Sequence, residues 1–295
     1  LRVISVKSIV TMSSLRGKSY QIRAASEELL WDSMANVAKS YAISGDKIIE
    51  GILNDFLKST KKKDFQETKQ DYESIIIPYM SPFEAIDFIA KRSIAAENSN
   101  ASNFLFFETK DGYKFKTFEQ LILDGIKQLE SQDYKNSHTY LQNENMLSVF
   151  KGSENEQTGK LASQMFNGYT VAVEFDLPNQ MDNSGLQSTL QQYDLVTKKL
   201  NIRQYQFDPN KYIFMNSSPD HFLTNTIIDK YKQTKNKSFL IPFSTYRDTV
   251  NNKKNFKYDV MLERFGYASA VSQYRTYIDA PGNSMLKVGD MIVLD

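Results

Sequence analysis

Cysteine is absent from this 295-residue chain, and histidine occurs only twice, at His138 and His221. The first absence excludes a disulfide framework, a thiolate nucleophile, cysteine-ligated zinc and iron–sulfur clusters. The second restricts any histidine triad or histidine metal site to one of two residues far apart in sequence. A surplus of one charge is lacking too: 36 Lys and Arg stand against 35 Asp and Glu, for a formal charge of +1. Neutralising phosphates takes a clustered basic surplus, so this balance argues against a protein whose main role is to coat nucleic acid. No stretch approaches the roughly 18 consecutive apolar residues of a membrane span, which predicts a soluble protein with no membrane insertion. Catalytic motifs are missing as well. The nearest approach to a phosphate loop, at Gly159-Lys160, has Glu154 where a glycine is needed and Leu161 where Ser or Thr should hold magnesium. There is no Gly-x-Ser-x-Gly elbow and no His-Glu-x-x-His helix. No cofactor, metal site or catalytic residue is therefore expected.

What is present builds a core. Hydrophobic residues make up 41% of the chain and charged residues 24%, which suits a folded protein of about two domains. Arg2 to Val10 is rich in β-branched residues, and Lys18 to Ala24 alternates, with Tyr20, Ile22 and Ala24 opposite Ser19, Gln21 and Arg23; together they predict a hairpin. Leu30, Met34, Val37 and Tyr41 step by four, three and four, which predicts a helix reaching Tyr41. A second helix carries Ile48, Ile49, Ile52, Leu53, Phe56 and Leu57, with Ser44 as its N-cap and Asp46 near its positive end. Ser81-Pro82-Phe83-Glu84 is a strong start signal for a third. Phe104 to Thr109 and Tyr113 to Lys116 flank Lys110-Asp111-Gly112, the clearest hairpin in the sequence, since glycine accepts the positive φ of such turns.

Further along, Asp124 to Glu144 is polar, low in strand character and reads as a domain junction. Tyr169 to Leu177 reads as a strand, and Gln191 to Arg203 carries Tyr193, Leu195, Val196, Leu200 and Ile202 within β-like sequence, with a loop over Asn179 to Ser188 between them. Asp208 to Asn255 is loop-rich and reads as an insertion. A helix near Val260 to Leu262, a strand from Tyr274 to Ile278 and a turn at Lys287 to Asp290 complete the pattern. Both ends stop within strand-like sequence, so native sequence is expected beyond Leu1 and Asp295.

Several features carry a chemical reading beside a simpler one. Lys61-Lys62-Lys63 offers a phosphate patch, but three lysines in a loop are usually solvated. Glu27-Glu28, Glu154/Glu156 and Glu174/Asp176 offer the paired carboxylates of glycoside hydrolysis, which need a set separation in space, and a solvated strand face or rim is the simpler reading. The chain holds 17 Tyr, 19 Phe and 1 Trp. Tyr113, Lys114, Phe115 and Lys116 interleave aromatic and basic side chains as a base-stacking platform does. Two aromatic strands packed on a helix explain them more simply.

The order of these elements resembles the central baseplate hub proteins of contractile-tailed bacteriophages of the T-even type. The resemblance runs from Ser26-Glu27-Glu28 through Lys39-Ser40-Tyr41 and Ile48 to Leu57. It is strongest over Ile77 to Ile86, which includes Pro78, Pro82 and Phe83, and over Lys91-Arg92-Ser93. It continues through Phe104 to Tyr113, including Phe106, Phe107, Asp111, Gly112 and Tyr113, and returns at Leu286 to Asp290, with Gly289 and Asp290. These are fold signatures rather than active-site motifs.

The resemblance implies an α+β chain in which tail-tube-like antiparallel β-barrels are joined by helical and mixed α/β segments. Residues 1–25 would be the remnant of a first barrel, which is fuller in the family. Residues 26–145 would be a middle domain, 146–206 with 257–295 a second barrel, and 207–256 an insertion. Three chains would form a ring that adapts a threefold spike to a sixfold tail tube, closing sheet edges that otherwise invite open-ended association. The implied partners are two further copies, the central spike protein, the tail tube protein and the baseplate wedge proteins, in the virion tail baseplate after assembly in host cytoplasm. DNA would pass through the lumen without specific binding, so a neutral or acidic bore is expected. A tail-associated cell-wall hydrolase and a nucleic-acid-binding module are the alternatives.

Overall fold

The structure, a computed structural model, describes residues 1–12, 17–69, 75–97, 102–130, 139–142, 165–166, 168–173, 187–195, 197–206, 237–243, 264, 271, 274–280, 282 and 286–294. Strands β1 (Arg2–Met12) and β2 (Gly17–Ala25) pair antiparallel as a two-stranded ribbon. The register shifts between Val3 and Ser5, and this irregularity lets Val3, opposite Ala24, share a face with Val6, opposite Ile22. Tyr20 alternates onto that same apolar face, while Ser5, Lys7, Gln21 and Arg23 occupy the other.

Helix α1 (Glu27–Met34) stops seven residues short of the predicted end at Tyr41, because Ala35 turns extended. The helical spacing was misleading. Leu30 and Met34 face solvent, 41% and 71% exposed, whereas Val37 and Tyr41 are buried as extended chain. Val37 donates its N–H to the Met80 carbonyl at 2.8 Å, and β3 (Ser40–Tyr41) pairs antiparallel with β5 (Ile75–Ile76). Pairing across that distance in sequence overrides the local period.

Helix α2 (Gly45–Asp55) turns Ile48, Ile49, Ile52 and Leu53 inward, and all are fully buried together with Leu57 beyond its end. Each such side chain contributes about 2 kcal/mol when removed from water. Ser44 occupies the N-cap position but makes no side-chain cap bond. Asp46 accepts instead from the Thr68 N–H and hydroxyl, at 3.2 and 2.8 Å, which anchors the helix start to a distant loop. Helix α3 (Pro82–Ala90) begins as predicted, with a complete capping box: Ser81 Oγ accepts from the Glu84 N–H, and Glu84 accepts from the Ser81 N–H.

A three-stranded sheet lies beneath these helices, with β7 (Gly112–Thr117) between β6 (Phe104–Thr109), antiparallel to it, and β4 (Lys63–Phe65), parallel to it. Phe104 and Phe115 stack at 4.5 Å between centroids, and Phe106 and Tyr113 at 5.3 Å. Tyr113 and Phe115 are buried, so these aromatics pack a core and are not offered to bases.

Helix α4 (Phe118–Leu129) follows β7 directly, capped by Thr117 Oγ1, and β8 (Thr139–Gln142) lies beyond it. The expected junction over Asp124 to Glu144 thus contains helix and strand. The remaining strands are β9 (Met165–Phe166), β10 (Gly168–Val173), β11 (Gln187–Asp194), β12 (Leu200–Gln206), β13 (Lys237–Phe243), β14 (Tyr274–Asp279) and β15 (Val293–Leu294). The β-like stretch from Gln191 to Arg203 holds parts of two antiparallel strands, β11 and β12, with Lys198 at a φ of 58° between them. The expected insertion supplies β13, parallel to β11. Strand β10 pairs with β14, and β8 lies between β15 and β9. Among the described residues every sheet has two or three strands and none closes on itself. The expected helix near Val260 lies outside the described residues, as does most of the expected loop over Asn179 to Ser188, though its last two residues open β11.

Candidate functional site

Eight of the residues singled out for the resemblance fall into two groups, and Gly112 and Pro78 lie apart from them. Pro82 opens α3 and is buried. Phe83 follows, its N–H donating to Asp32 Oδ1 at 2.7 Å and its ring 6.3 Å from Phe106, which stacks in turn on Tyr113. These four form part of the core between α3 and the sheet. Phe107 points from the opposite side of β6, beneath Gly289. Asp111 sits exposed in the β6–β7 turn, where Lys287 pairs with it, and Asp290 Oδ2 accepts from the Lys287 N–H at 3.0 Å. Phe107, Asp111, Gly289 and Asp290 therefore meet on one surface. Gly112 has a φ of 140° and lies against the Lys62 carbonyl, which accepts the Tyr113 N–H at 2.8 Å. Pro78 stands apart, exposed in the extended segment after β5.

A polar seam that the sequence did not reveal lies between α1, the loop after α2 and β6. Glu28, in the first turn of α1, is buried. It accepts from Ser59 Oγ and from Lys61 Nζ, each at 2.7 Å. Lys61 also donates to Glu108 Oε1 at 2.5 Å and lies 5.5 Å from the centre of the Tyr113 ring. Beside it, Lys58 sits 4.2 Å over the ring of Trp31. Two clefts of about 520 Å³ each flank this seam, sharing Leu1, Lys61 and Glu108 in their walls. The reading of Lys61 to Lys63 as a solvated run holds for exposed Lys62 but not for Lys61, which bridges two carboxylates, while Lys63 donates to Asn54 Oδ1 at 2.6 Å on the surface.

The electrostatics set the protonation of Glu28, Lys61 and Tyr113. Burial pushes the Glu28 carboxyl up, but hydrogen bonds from Lys61 and Ser59 outweigh it and hold the group below its ordinary value. Burial pulls Lys61 down, and its bonds to Glu108 and Glu28 more than reverse this, so it stays an ammonium. Burial, then the charges of Glu108 and Glu28, pushes the Tyr113 phenol up to about 12. The Tyr113 hydroxyl faces Ser26 but makes no hydrogen bond of ordinary geometry. Glu28 is thus an ionised acceptor, Lys61 a charged donor and Tyr113 a neutral phenol. The set binds elements together, and its buried carboxyl, Glu28, is held the opposite way from a general acid.

Of the carboxylate pairs considered, Glu27 and Glu28 part company: Glu27 meets Arg2 at 3.2 Å on the surface while Glu28 turns inward. Glu154, Glu156, Glu174 and Asp176 lie outside the described residues, as do His138, His221 and the segment with Gly159-Lys160. Among the described residues no group of three or more His, Asp or Glu side chains is placed to hold a metal ion. No described helix is long and apolar enough to cross a membrane. The sequence drew notice to Glu28 only as half of a carboxylate pair, to Lys61 only as part of a lysine run and to Lys287 only as the start of a turn, because their partners are distant in the chain. Comparison of the chain with protein-family models and with curated proteins finds no match.

Proposed function

We propose that this chain is a structural hub of a phage tail baseplate: three copies form a ring that adapts a threefold spike to a sixfold tail tube and surrounds the DNA channel. The observation that carries the reading is the uncovered apolar face of the β1–β2 ribbon. Val3, Val6, Tyr20 and Ile22 share that face and are 61%, 53%, 57% and 48% exposed. A sheet face of this kind reaches stability by packing against another layer, and a two-stranded ribbon alone is marginal in water. Tyr169 and Val171 on β10, half exposed, repeat the pattern in a second two-stranded sheet. Surfaces so built suit a protein that is completed by its neighbours.

The family resemblance supplies the identity of those neighbours: further copies, a spike, the tube and wedge proteins. The residues that carry it cluster in the α2–α3 core and on the Phe107–Gly289 surface, where they serve packing and turn geometry. In this reading the lumen is neutral or acidic and the protein works in the virion without cofactor or catalysis. The hydrolase alternative calls for a raised carboxyl in a cleft, and Glu28, beside a cleft, is held in the opposite direction.

The test is the solution mass of the protein by size-exclusion chromatography with light scattering. A trimer is expected, and Val6→Asp combined with Ile22→Asp is expected to release monomers that keep the α2–α3 core. A strict monomer at micromolar concentration overturns the proposal. A mapped bore lined mainly by Lys and Arg counts against it equally.

A further inference from the structure

The segment Leu286–Asp290 lies across the surface made by the β6–β7 turn and α4, and the contacts that hold it differ in kind. At its leading end Lys287 forms an ion pair with Asp111, with both side chains still in contact with solvent. At its centre Gly289, with a φ of 86°, sits so close to Phe107 that a Cβ there would lie 3.1 Å from the ring. At its trailing end Met291 fills the notch left by Gly125, where a Cβ would come within 2.3 Å of the Met291 sulfur. Beyond Met291, β15 pairs with β8. A local turn links the first two contacts: the Asp290 N–H donates to the Lys287 carbonyl at 3.2 Å, and the Lys287 N–H to Asp290 Oδ2.

These contacts answer salt differently. A solvent-exposed ion pair is screened as ionic strength rises, whereas the seating of a thioether in a glycine notch and a strand pairing are not. Gly289 lies between the screened part and the unscreened part, and its left-handed backbone is where a change of direction meets the least steric resistance. Leu286, Lys287 and Val288 also line a cleft of about 520 Å³ together with Lys61, Glu108 and Lys110.

We infer that Leu286–Asp290 is an ionic flap, hinged at Gly289 and anchored by Met291, whose Lys287–Asp111 contact opens and closes in solution and with it one wall of the cleft beside Lys61 and Glu108. The flap is a property of this chain itself and stands independently of the hub reading. Ionic strength, or a charged partner that competes for Asp111 or Lys287, sets how much of the time it is closed.

The experiment is residue-resolved amide hydrogen exchange on the whole protein at about 20 mM and about 500 mM salt, which span strong and weak screening. The Asp290 amide is expected to exchange about two- to five-fold faster at high salt, the range expected for loss of one exposed ion pair. Amides of β15 and α4 should not change. Lys287→Met should exchange at the fast rate in low salt and lose the salt dependence. Asp111→Lys with Lys287→Asp, which reverses the pair, should restore both protection and salt dependence. An Asp290 amide indifferent to salt overturns the proposal. So does acceleration of β15 and α4 by the same factor, because the segment then moves as one unit with its anchor, and so does a reversed pair that fails to restore protection while α2 amides remain slow.

Discussion

The Lys61 ammonium lies 2.7 Å from the Glu28 carboxylate and there neutralises the one buried residue of α1. Removing the lysine leaves that carboxylate buried with only Ser59 and its own backbone N–H as donors, and an uncompensated buried charge is costly. Because the lysine is one-third exposed, Lys61→Met is expected to destabilise by about 2 kcal/mol, below the range for fully buried pairs. The double variant with Glu28→Gln removes the stranded charge and should recover part of the loss. Urea denaturation midpoints of the two variants check this, and a double variant less stable than Lys61→Met would contradict it.

Stability should decline toward both extremes of pH for separate reasons. Glu28 has a folded pKa below its ordinary value of 4.5, so its contribution is complete above 4.5 and disappears as pH falls through the depressed value. Tyr113 is raised from 10.0 to about 12, so its contribution is complete below 10 and disappears as pH climbs toward 12. Glu28→Gln should flatten the acid limb and, by removing one of the charges that raise Tyr113, slightly weaken the alkaline one, whereas Tyr113→Phe should flatten the alkaline limb. Thermal melts across pH decide it.

Tyr113→Phe carries a second expectation at neutral pH. The hydroxyl is buried without a hydrogen bond of ordinary geometry, so deleting it removes a desolvated polar group. Stability should be unchanged or up to about 1 kcal/mol higher. A loss larger than that would reveal a partner for the phenol.

Two serines at helix starts should behave differently. Ser81 completes a capping box on α3, whereas Ser44 occupies the equivalent position on α2 and makes no side-chain cap bond. Ser81→Ala should cost about 1 kcal/mol and Ser44→Ala a few tenths. Equal losses in calorimetry would mean that the two hydroxyls do the same work.

Gly112→Ala should be among the most damaging single substitutions in the chain. The backbone there is at a φ of 140°, and a Cβ would lie 2.1 Å from the Lys62 carbonyl oxygen, which is backbone and cannot swing aside. Either the turn or the β4–β7 pairing must shift, at about 3 kcal/mol or more. Soluble yield and circular dichroism melting report it.

What the sequence disclosed was what lies close together in it. The α3 start is written in four consecutive residues, Ser81 to Glu84, and the aromatic hairpin in Asp111-Gly112 with its flanks; both formed as read. Failure came where distant residues decide. The spacing of Leu30, Met34, Val37 and Tyr41 fits a helix, yet pairing with Met80 and Ile75 draws the last two into extended chain. Strand β13 lies within the polar stretch read as a loop-rich insertion, and it holds Pro242 because it lies at a sheet edge, where proline is tolerated. Glu28 and Lys61 are 33 positions apart, and no local pattern distinguishes them from other surface charges.

The placement of Lys287, 176 positions downstream of Asp111, also sets an order of events during synthesis. A ribosome adding about 5–20 residues per second will have finished the β6–β7 turn on the order of ten to thirty seconds before the residue that clasps it exists. Throughout that interval the nascent chain carries Phe107 uncovered and the Gly125 notch empty. The stretch that covers this surface is therefore made well after the surface itself, and a chain released before Lys287 would leave it bare.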